Sequence, residues 1–224
     1  RINSTHYCSH KGNFIAEYEE IPISANSFSS KDFWEVRRLN FMFYTTFNLN
    51  FQKWFFQYVR QLGISLSEFF SRFMKPDRKV NWPDSYLRFL DDFKTAVESE
   101  LFDTPEEVIA KAKEIYTANG NDVGEPTRIN MHFGARLNYL EGDWVKEVLL
   151  HHLYDIMSQN LSSDDRNLAN LLINLCEKER VDLKNISEKE PLGISYDVIK
   201  WKKNKFKESL HNLKISEKII KFST

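Results

Sequence analysis

NSFSSKDFWEVRRLNFMFYTTFN, residues 26–48, is the stretch on which the fold turns. Ser29 and Ser30 supply hydroxyls for an N-cap, and Asp32 follows Ser29 at the spacing of a capping box. Beyond the cap, Phe33, Val36, Phe43, Tyr44 and Phe47 recur at helical spacing and predict an inward face. Asn40 projects onto the middle of that face and Arg37 onto its edge. Aromatics drive a helix inward, but a carboxamide and a guanidinium carried with them must find partners. The expectation is a helix covered by the rest of the chain, with Asn40 as a satisfied core amide. On that reading Asn40→Leu costs about 1–3 kcal/mol for each partner it strands. Arg37→Ala is the milder change, because the long arginine stem carries its charge to the edge. The competing expectation sets Arg37, Asn40, Trp34 and Asn48 on a wall facing a neighbouring domain or a ligand.

Composition supports a helical core. The 18 Phe, 9 Tyr and 5 Trp among 224 residues supply bulky apolar material, and 7 Gly with 6 Pro favour long regular elements over a loop-rich sandwich. Lys+Arg 31 against Asp+Glu 32 gives no basic excess of the kind that non-specific nucleic-acid binding uses. Two cysteines, Cys8 and Cys176, do not make a disulfide framework and fit a reducing, cytoplasmic compartment. The uncharged run 39–52 contains Asn40, Asn48 and Asn50 and falls short of the roughly 20 apolar residues of a membrane span. The chain opens at Arg1, without Met or a secretory signal, and we expect a piece of a longer polypeptide.

Working outward, residues 1–13 are polar and aperiodic and read as a linker, while 14–23 alternate loosely as a strand. Pro22 near its end favours an edge position. After the 48–50 turn, Phe51, Trp54, Phe55, Tyr58 and Leu62 predict a helix closed by Gly63. Ser65 and Glu68 predict a capping box, with Leu66, Phe69, Phe70 and Phe73 behind it. Pro83 leads a helix carrying Tyr86, Phe89, Leu90, Phe93 and Val97 inward. Thr104-Pro105-Glu106-Glu107 is the clearest start signal, and Asn119-Gly120 closes the helix that follows. Residues 121–126, NDVGEP, form a loop. Further helices are expected over 127–140, 144–157 and 163–180, then two short strands at 194–198 and 219–222 around a helix near 201–213. The fold class is therefore mainly α: a bundle of about eight helices with a small β element near the N- and C-termini. We divide it into a linker and edge strand (1–28), a helical domain (29–182) and C-terminal strands with a short helix packing back on it (183–224).

Few residues carry chemistry. Glu147, His151 and Asp155 line one helical face and present metal-ligand types, but the Glu-x-x-His pair of carboxylate-bridged bundles is absent. Four-residue spacing is also what an ordinary solvated, self-paired face uses, and that reading is preferred. A metal-dependent bundle enzyme would rest on those residues alone. His152 projects onto the apolar side as a hydrogen-bonded core histidine. His6, Cys8 and His10 alternate as a conceivable metal half-site, although a linker is the plainer reading. Amides near Thr127 offer an anion site, but the glycines of the loop match no phosphate or dinucleotide fingerprint. No nucleophile–base arrangement stands out.

One resemblance covers much of the chain. Residues 17–48, EYEEIPISANSFSSKDFWEVRRLNFMFYTTFN, resemble the region after the catalytic barrel in cobalamin-binding radical S-adenosylmethionine (radical SAM) enzymes. Phe28, Ser29, Asp32, Phe33, Arg37 and Asn40 fill that pattern, and Gly63, Ile64, Phe69 and Phe70 are similar to the helix pair that follows. The NDVGEP loop and residues 194–201 are fainter likenesses. The family's C-x-x-x-C-x-x-C cluster motif and D-x-H-x-x-G cobalamin motif do not occur here, and an iron–sulfur cluster needs more thiolates than Cys8 and Cys176 provide. The resemblance implies a C-terminal accessory region that caps a substrate cavity or joins domains. It would be cytoplasmic, bind no cofactor and catalyse nothing by itself. The implied parent enzyme is methyltransferase-like, with a 4Fe-4S cluster, S-adenosylmethionine and cobalamin; the implied partners are its barrel and cobalamin domain, with no nucleic acid or membrane. The alternative is a free-standing helical interaction module that binds a partner through the aromatics between Phe51 and Phe73.

Overall fold

Capping and turn chemistry divide the chain into nine α-helices and four strands among the described residues. The structure, a computed structural model, describes residues 1–11, 13–118, 128–180 and 190–222. The expected helix end at Asn119-Gly120, the NDVGEP loop and Thr127 lie outside the described residues. The chain forms two compact units, Arg1–Arg37 with Leu87–Phe133 and Arg38–Tyr86 with Gly134–Thr224.

The first unit contains an antiparallel hairpin, β1 (Ile2–His10) and β2 (Asn13–Glu20). The polar residues expected to form a linker are thus its first strand. Alternation is obscured there by a register shift between Ser4 and His6, and a bulge breaks the period-two pattern by which a strand is read. Ile2 pairs through both backbone groups with Phe102, at 2.8 Å each. The hairpin carries the helix α5 (Pro105–Ala118), with Tyr116 set against Phe14 and Tyr7 at ring distances of 5.3 and 6.3 Å. Thr104 and Glu107 form the expected box: the Thr104 hydroxyl accepts from Glu107 N at 3.3 Å, and Glu107 Oε2 accepts from Thr104 N at 3.4 Å. Two more helices contribute Phe89, Phe93 and Phe133 to this unit's core: α4 (Asp84–Ser99) and α6 (Ile129–Tyr139). The start of α1 (Ser30–Phe47) also belongs here, with Ser29 and Asp32 closing its cap.

The second unit is built on aromatic rings. From α2 (Lys53–Gln61) and α3 (Leu66–Met74), Phe55, Phe56, Phe69 and Phe70 meet edge to face at 5.1–5.8 Å. Such pairs add roughly 0.5–1.5 kcal/mol beyond area burial. The helices α7 (Gly142–Met157) and α8 (Ser163–Glu179) pack on α3 and α2 respectively. A second hairpin of β3 (Leu192–Tyr196) and β4 (Lys214–Ile220), with α9 (Val198–Lys203) between them, closes the unit and buries Trp201. Gly63 adopts φ +80° as the helix end after α2. Ser65 does not form its expected capping box: its hydroxyl pairs with Ser67 and Glu68 turns to Arg72. Among the described residues no helix is long and apolar enough to cross a membrane.

Candidate functional site

Much of the expected inward face of α1 is turned out, with Phe33 and Tyr44 half-buried. Val36, Phe43 and Phe47 are 63%, 37% and 48% exposed, and Asn40 is exposed as well. The buried residues of its second half are instead Phe41, Met42, Thr45 and Thr46. The cause is close approach. A Cβ built on Gly134 would lie 3.0 Å from Thr45 Oγ1 and 2.5 Å from Leu49 Cδ1, so backbone of α6 sits where only small α1 side chains fit. The hydroxyls of Thr45 and Thr46 are buried with no hydrogen-bond partner among the described residues. The core-amide expectation for Asn40 is therefore corrected: the amide stands at the surface. Phe43 stacks nearly parallel on Phe47, with ring centroids 6.0 Å apart, and meets Phe70 edge to face at 5.0 Å.

The four residues of the expected wall lie on α1 or directly after it. Arg37 donates to Glu100 at 2.7 Å, both side chains being mostly covered. Burial raises the Glu100 carboxyl pKa above its ordinary value, and the guanidinium opposes that rise. Trp34 sets its ring edge to face with Phe33 at 5.0 Å. Asn48 is exposed just beyond α1, its N–H donating to Tyr44 O. None of the four lines either of the cavities described below.

Glu147, His151 and Asp155 share an exposed face of α7. Asp155 accepts from Arg72 at 2.7 Å, and the His151 ring lies against Trp82. His6 lies 3.7 Å from Glu17 and Cys8 pairs with Ile15 across the hairpin. Among the described residues no three His, Cys, Asp or Glu side chains converge as a metal ion requires. Cys176 is a free, buried thiol pushed up to about 12 by desolvation.

His152 is the core histidine that its register predicts. It stacks on Trp82 with centroids 4.7 Å apart, and its Nε2 lies 3.3 Å from the Tyr86 hydroxyl. That hydroxyl donates to Phe73 O, so the imidazole supplies the Nε2 proton between them. Desolvation first, and then His151, lowers its pKa to about 4, so it is neutral at ordinary pH.

Sequence reasoning missed a second cluster. Asp165 Oδ1 accepts from Tyr58 at 2.5 Å and from His211 Nε2 at 2.8 Å, while its Oδ2 closes the capping box with Ser162. Those hydrogen bonds hold its carboxyl down at about 2 against the opposing effect of burial. The Ser162–Asp165 spacing is legible in sequence; the tyrosine and histidine are 107 and 46 residues away and are not. The arrangement ties three elements together.

An apolar groove of about 210 Å³ opens between Trp54, Leu66 and Phe206, with Phe47 and Thr46 in its wall. Lys53 and Lys202 lie 5.3 and 5.8 Å from the Trp54 ring centroid. Glu179 fixes the indole by accepting from Nε1 at 2.7 Å and also pairs with Lys53 at 2.9 Å. Compared with protein-family models, curated proteins and solved structures, the chain matches none.

Proposed function

We propose that the chain is the C-terminal accessory region of a cobalamin-dependent radical SAM enzyme, docking on the catalytic barrel through the outward face of α1 and helping to close the substrate cavity. The reading rests on the resemblance of residues 17–48. The observation that carries it is the exposure of Phe43 and Phe47, a stacked aromatic pair within that same segment. Exposed large aromatics in contact with one another mark interaction surfaces more often than isolated ones do. Radical chemistry requires water to be kept from the reacting centre, and an aromatic helical cap supplies such a barrier. By itself the chain would be inert, since two cysteines, one of them buried, leave no thiolate set for a cluster.

The rival reading, a free-standing interaction module, assigned partner binding to the aromatics between Phe51 and Phe73. Phe51, Phe55, Phe56, Phe69, Phe70 and Phe73 are all core residues of the second unit, which removes that surface. The test is the reading frame that encodes this chain. A C-x-x-x-C-x-x-C motif upstream of residue 1 is required, and a frame without one ends the proposal. In the full-length enzyme, Phe47→Asp is expected to lower turnover, while the chain alone melts within about 2 °C of wild type, as a surface change should. Unchanged turnover removes α1 as the docking face.

A further inference from the structure

Residues 197–207, DVIKWKKNKFK, set five lysines against one acid. Lys200, Lys202, Lys203, Lys205 and Lys207 are all exposed, and among the described residues no carboxylate lies within ion-pair reach of any of them. Asp197 is already engaged: its carboxylate accepts from Lys200 N at 2.8 Å and caps α9. The dipole of a helix favours cations in its last turn only, so it does not account for Lys205 and Lys207 beyond the end of α9. Like charges held together without counter-charge repel one another, and an anionic partner would relieve that repulsion. The polar cavity of about 240 Å³ beside the turn from α1 into α2 has no such charge to offer. There Lys53 is paired with Glu179, and Arg180 has contacts of its own.

The turn that ends α9 sets these lysines beside the apolar groove. Lys205 and Phe206 hold φ of 54° and 60°, left-handed values that residues other than glycine adopt at some cost. The turn brings Phe206 against Trp201 and Trp54, with ring centroids 4.9 and 6.3 Å apart, and makes it a wall of the groove. Lys202 lines the same groove, and Lys205 and Lys207 flank Phe206 along the chain. A volume of about 210 Å³ between Trp54, Leu66 and Phe206 suits one large apolar side chain. We infer that the groove and the lysines around it dock an acidic peptide segment. A phenylalanine or leucine of the peptide enters the groove, and aspartates or glutamates beside it meet Lys202, Lys205 and Lys207. A nucleic acid fits less well. Trp54 is 3% exposed, with Lys53 and Lys202 against its ring, so it offers no open face on which a base could stack. The inference does not depend on docking through α1, and it is read on the chain alone, not from turnover.

Calorimetric titration of the chain with three capped peptides tests it. Acetyl-Asp-Asp-Phe-Asp-Asp-amide carries both charge and anchor. A second peptide replaces each Asp by Asn, and a third replaces Phe by Gly. Saturable binding of the first is expected, weakening as salt is added. Each of the others should bind about tenfold weaker or more, the scale of several exposed ion pairs or one buried ring. A Lys202→Gln, Lys205→Gln, Lys207→Gln protein should lose the preference for the Asp over the Asn peptide. Lys214→Gln with Lys218→Gln, on β4 and outside the groove wall, should keep it. Phe206→Ala should abolish the preference for Phe over Gly. The inference is overturned by no saturable binding of the first peptide, by equal binding of the Asp and Asn peptides, or by a triple variant that keeps its preference. A β4 variant that loses as much as the triple variant also overturns it, because diffuse charge would then suffice. If Phe206→Ala does not fold, equal binding of the Phe and Gly peptides by the wild-type chain overturns it. A short oligothymidylate, or phosphatidylserine vesicles, bound more tightly than the first peptide would make the occupant a nucleic acid or a membrane instead, and overturn it too.

Discussion

Asn40 and Arg37 exchange the roles that sequence suggests for them. Asn40 is exposed on α1, so Asn40→Leu is expected to shift stability by less than about 1 kcal/mol. Arg37→Ala leaves the partly buried Glu100 without its cation, and about 1–3 kcal/mol should be lost. Denaturant melts of the two variants give the order; a costlier Asn40 would return that amide to the core. The reversal has a physical source. A helical wheel ranks faces by hydrophobicity, whereas this face is chosen by how closely Gly134 lets α6 approach, and no property of residues 26–48 encodes Gly134. His152, by contrast, was legible because its neighbours at helical spacing are aliphatic on one side only. Its pKa of about 4 is depressed from 6.5 by burial, so the unfolded chain takes up a proton first as pH falls. Stability should therefore be full above about pH 6.5 and decline towards pH 4, by roughly 3 kcal/mol in all. His152→Phe should flatten that part of the pH profile, and an equally steep profile in the variant would assign the proton uptake elsewhere.

Elements were legible where a local signal did not have to compete. The Thr104–Glu107 box forms with both side chains exposed, and Glu107 Oε2 reinforces the helix start by also accepting from Asp103 N at 3.1 Å. The Ser65–Glu68 box has the same spacing and fails, because Arg72 one turn on offers Glu68 a cation and Ser67 offers Ser65 a hydroxyl. β1 was not legible, since its bulge breaks the alternation. Glycine gives the sharpest element-level test, because Gly63 and Gly134 are needed for different reasons. At Gly63, φ is +80° and a Cβ would meet nothing within 4 Å, so Gly63→Ala costs only backbone strain, about 1 kcal/mol. Gly134 lies inside α6, where alanine normally gains about 1 kcal/mol in propensity. The clash with Leu49 and Thr45 opposes that gain, and a net loss of about 1 kcal/mol is expected. Shortening the neighbour should restore it: in a Gly134→Ala, Leu49→Ala cycle the coupling should exceed about 0.5 kcal/mol. Additivity within about 0.3 kcal/mol would mean that Leu49 swings clear unaided and that the approach of α6 is not what orients α1.

At the scale of the molecule, the second unit depends on contacts made across long stretches of chain, and Asp165 is where several meet. Its carboxylate caps α8, receives Tyr58 from α2 and receives His211 from the short 3₁₀ turn at Leu210–Leu213. Nearby, Gln61 accepts from Leu210 N at 3.1 Å and donates to Glu208 O at 2.9 Å, so the C-terminal hairpin is held to α2 at a second point. No sequence window contains α2, α8 and the last forty residues together, which is why the helices could be read and their meeting point could not. Hydrogen bonding holds the Asp165 carboxyl at about 2, below its ordinary 3.8, so the folded state gives up that proton more readily than the unfolded one. The resulting stabilisation is complete above about pH 4 and is lost as pH falls through about 2. In Asp165→Asn the amide retains one acceptor oxygen but has no charge and cannot serve Tyr58, His211 and Ser162 together. The variant should be less stable than wild type at neutral pH by about 2–3 kcal/mol, the cost of losing hydrogen bonds to a charged group. The gap should then narrow between pH 4 and pH 2, because wild type loses over that range what the variant never had. Tyr58→Phe made in the Asp165→Asn background should cost less than in wild type, since the bond it removes is already weakened. Acid and denaturant melts of the two single variants and the double variant measure all three quantities. A gap that stays constant down to pH 2 would show that Asp165 holds the unit together through packing at the start of α8, with Tyr58 and His211 as bystanders.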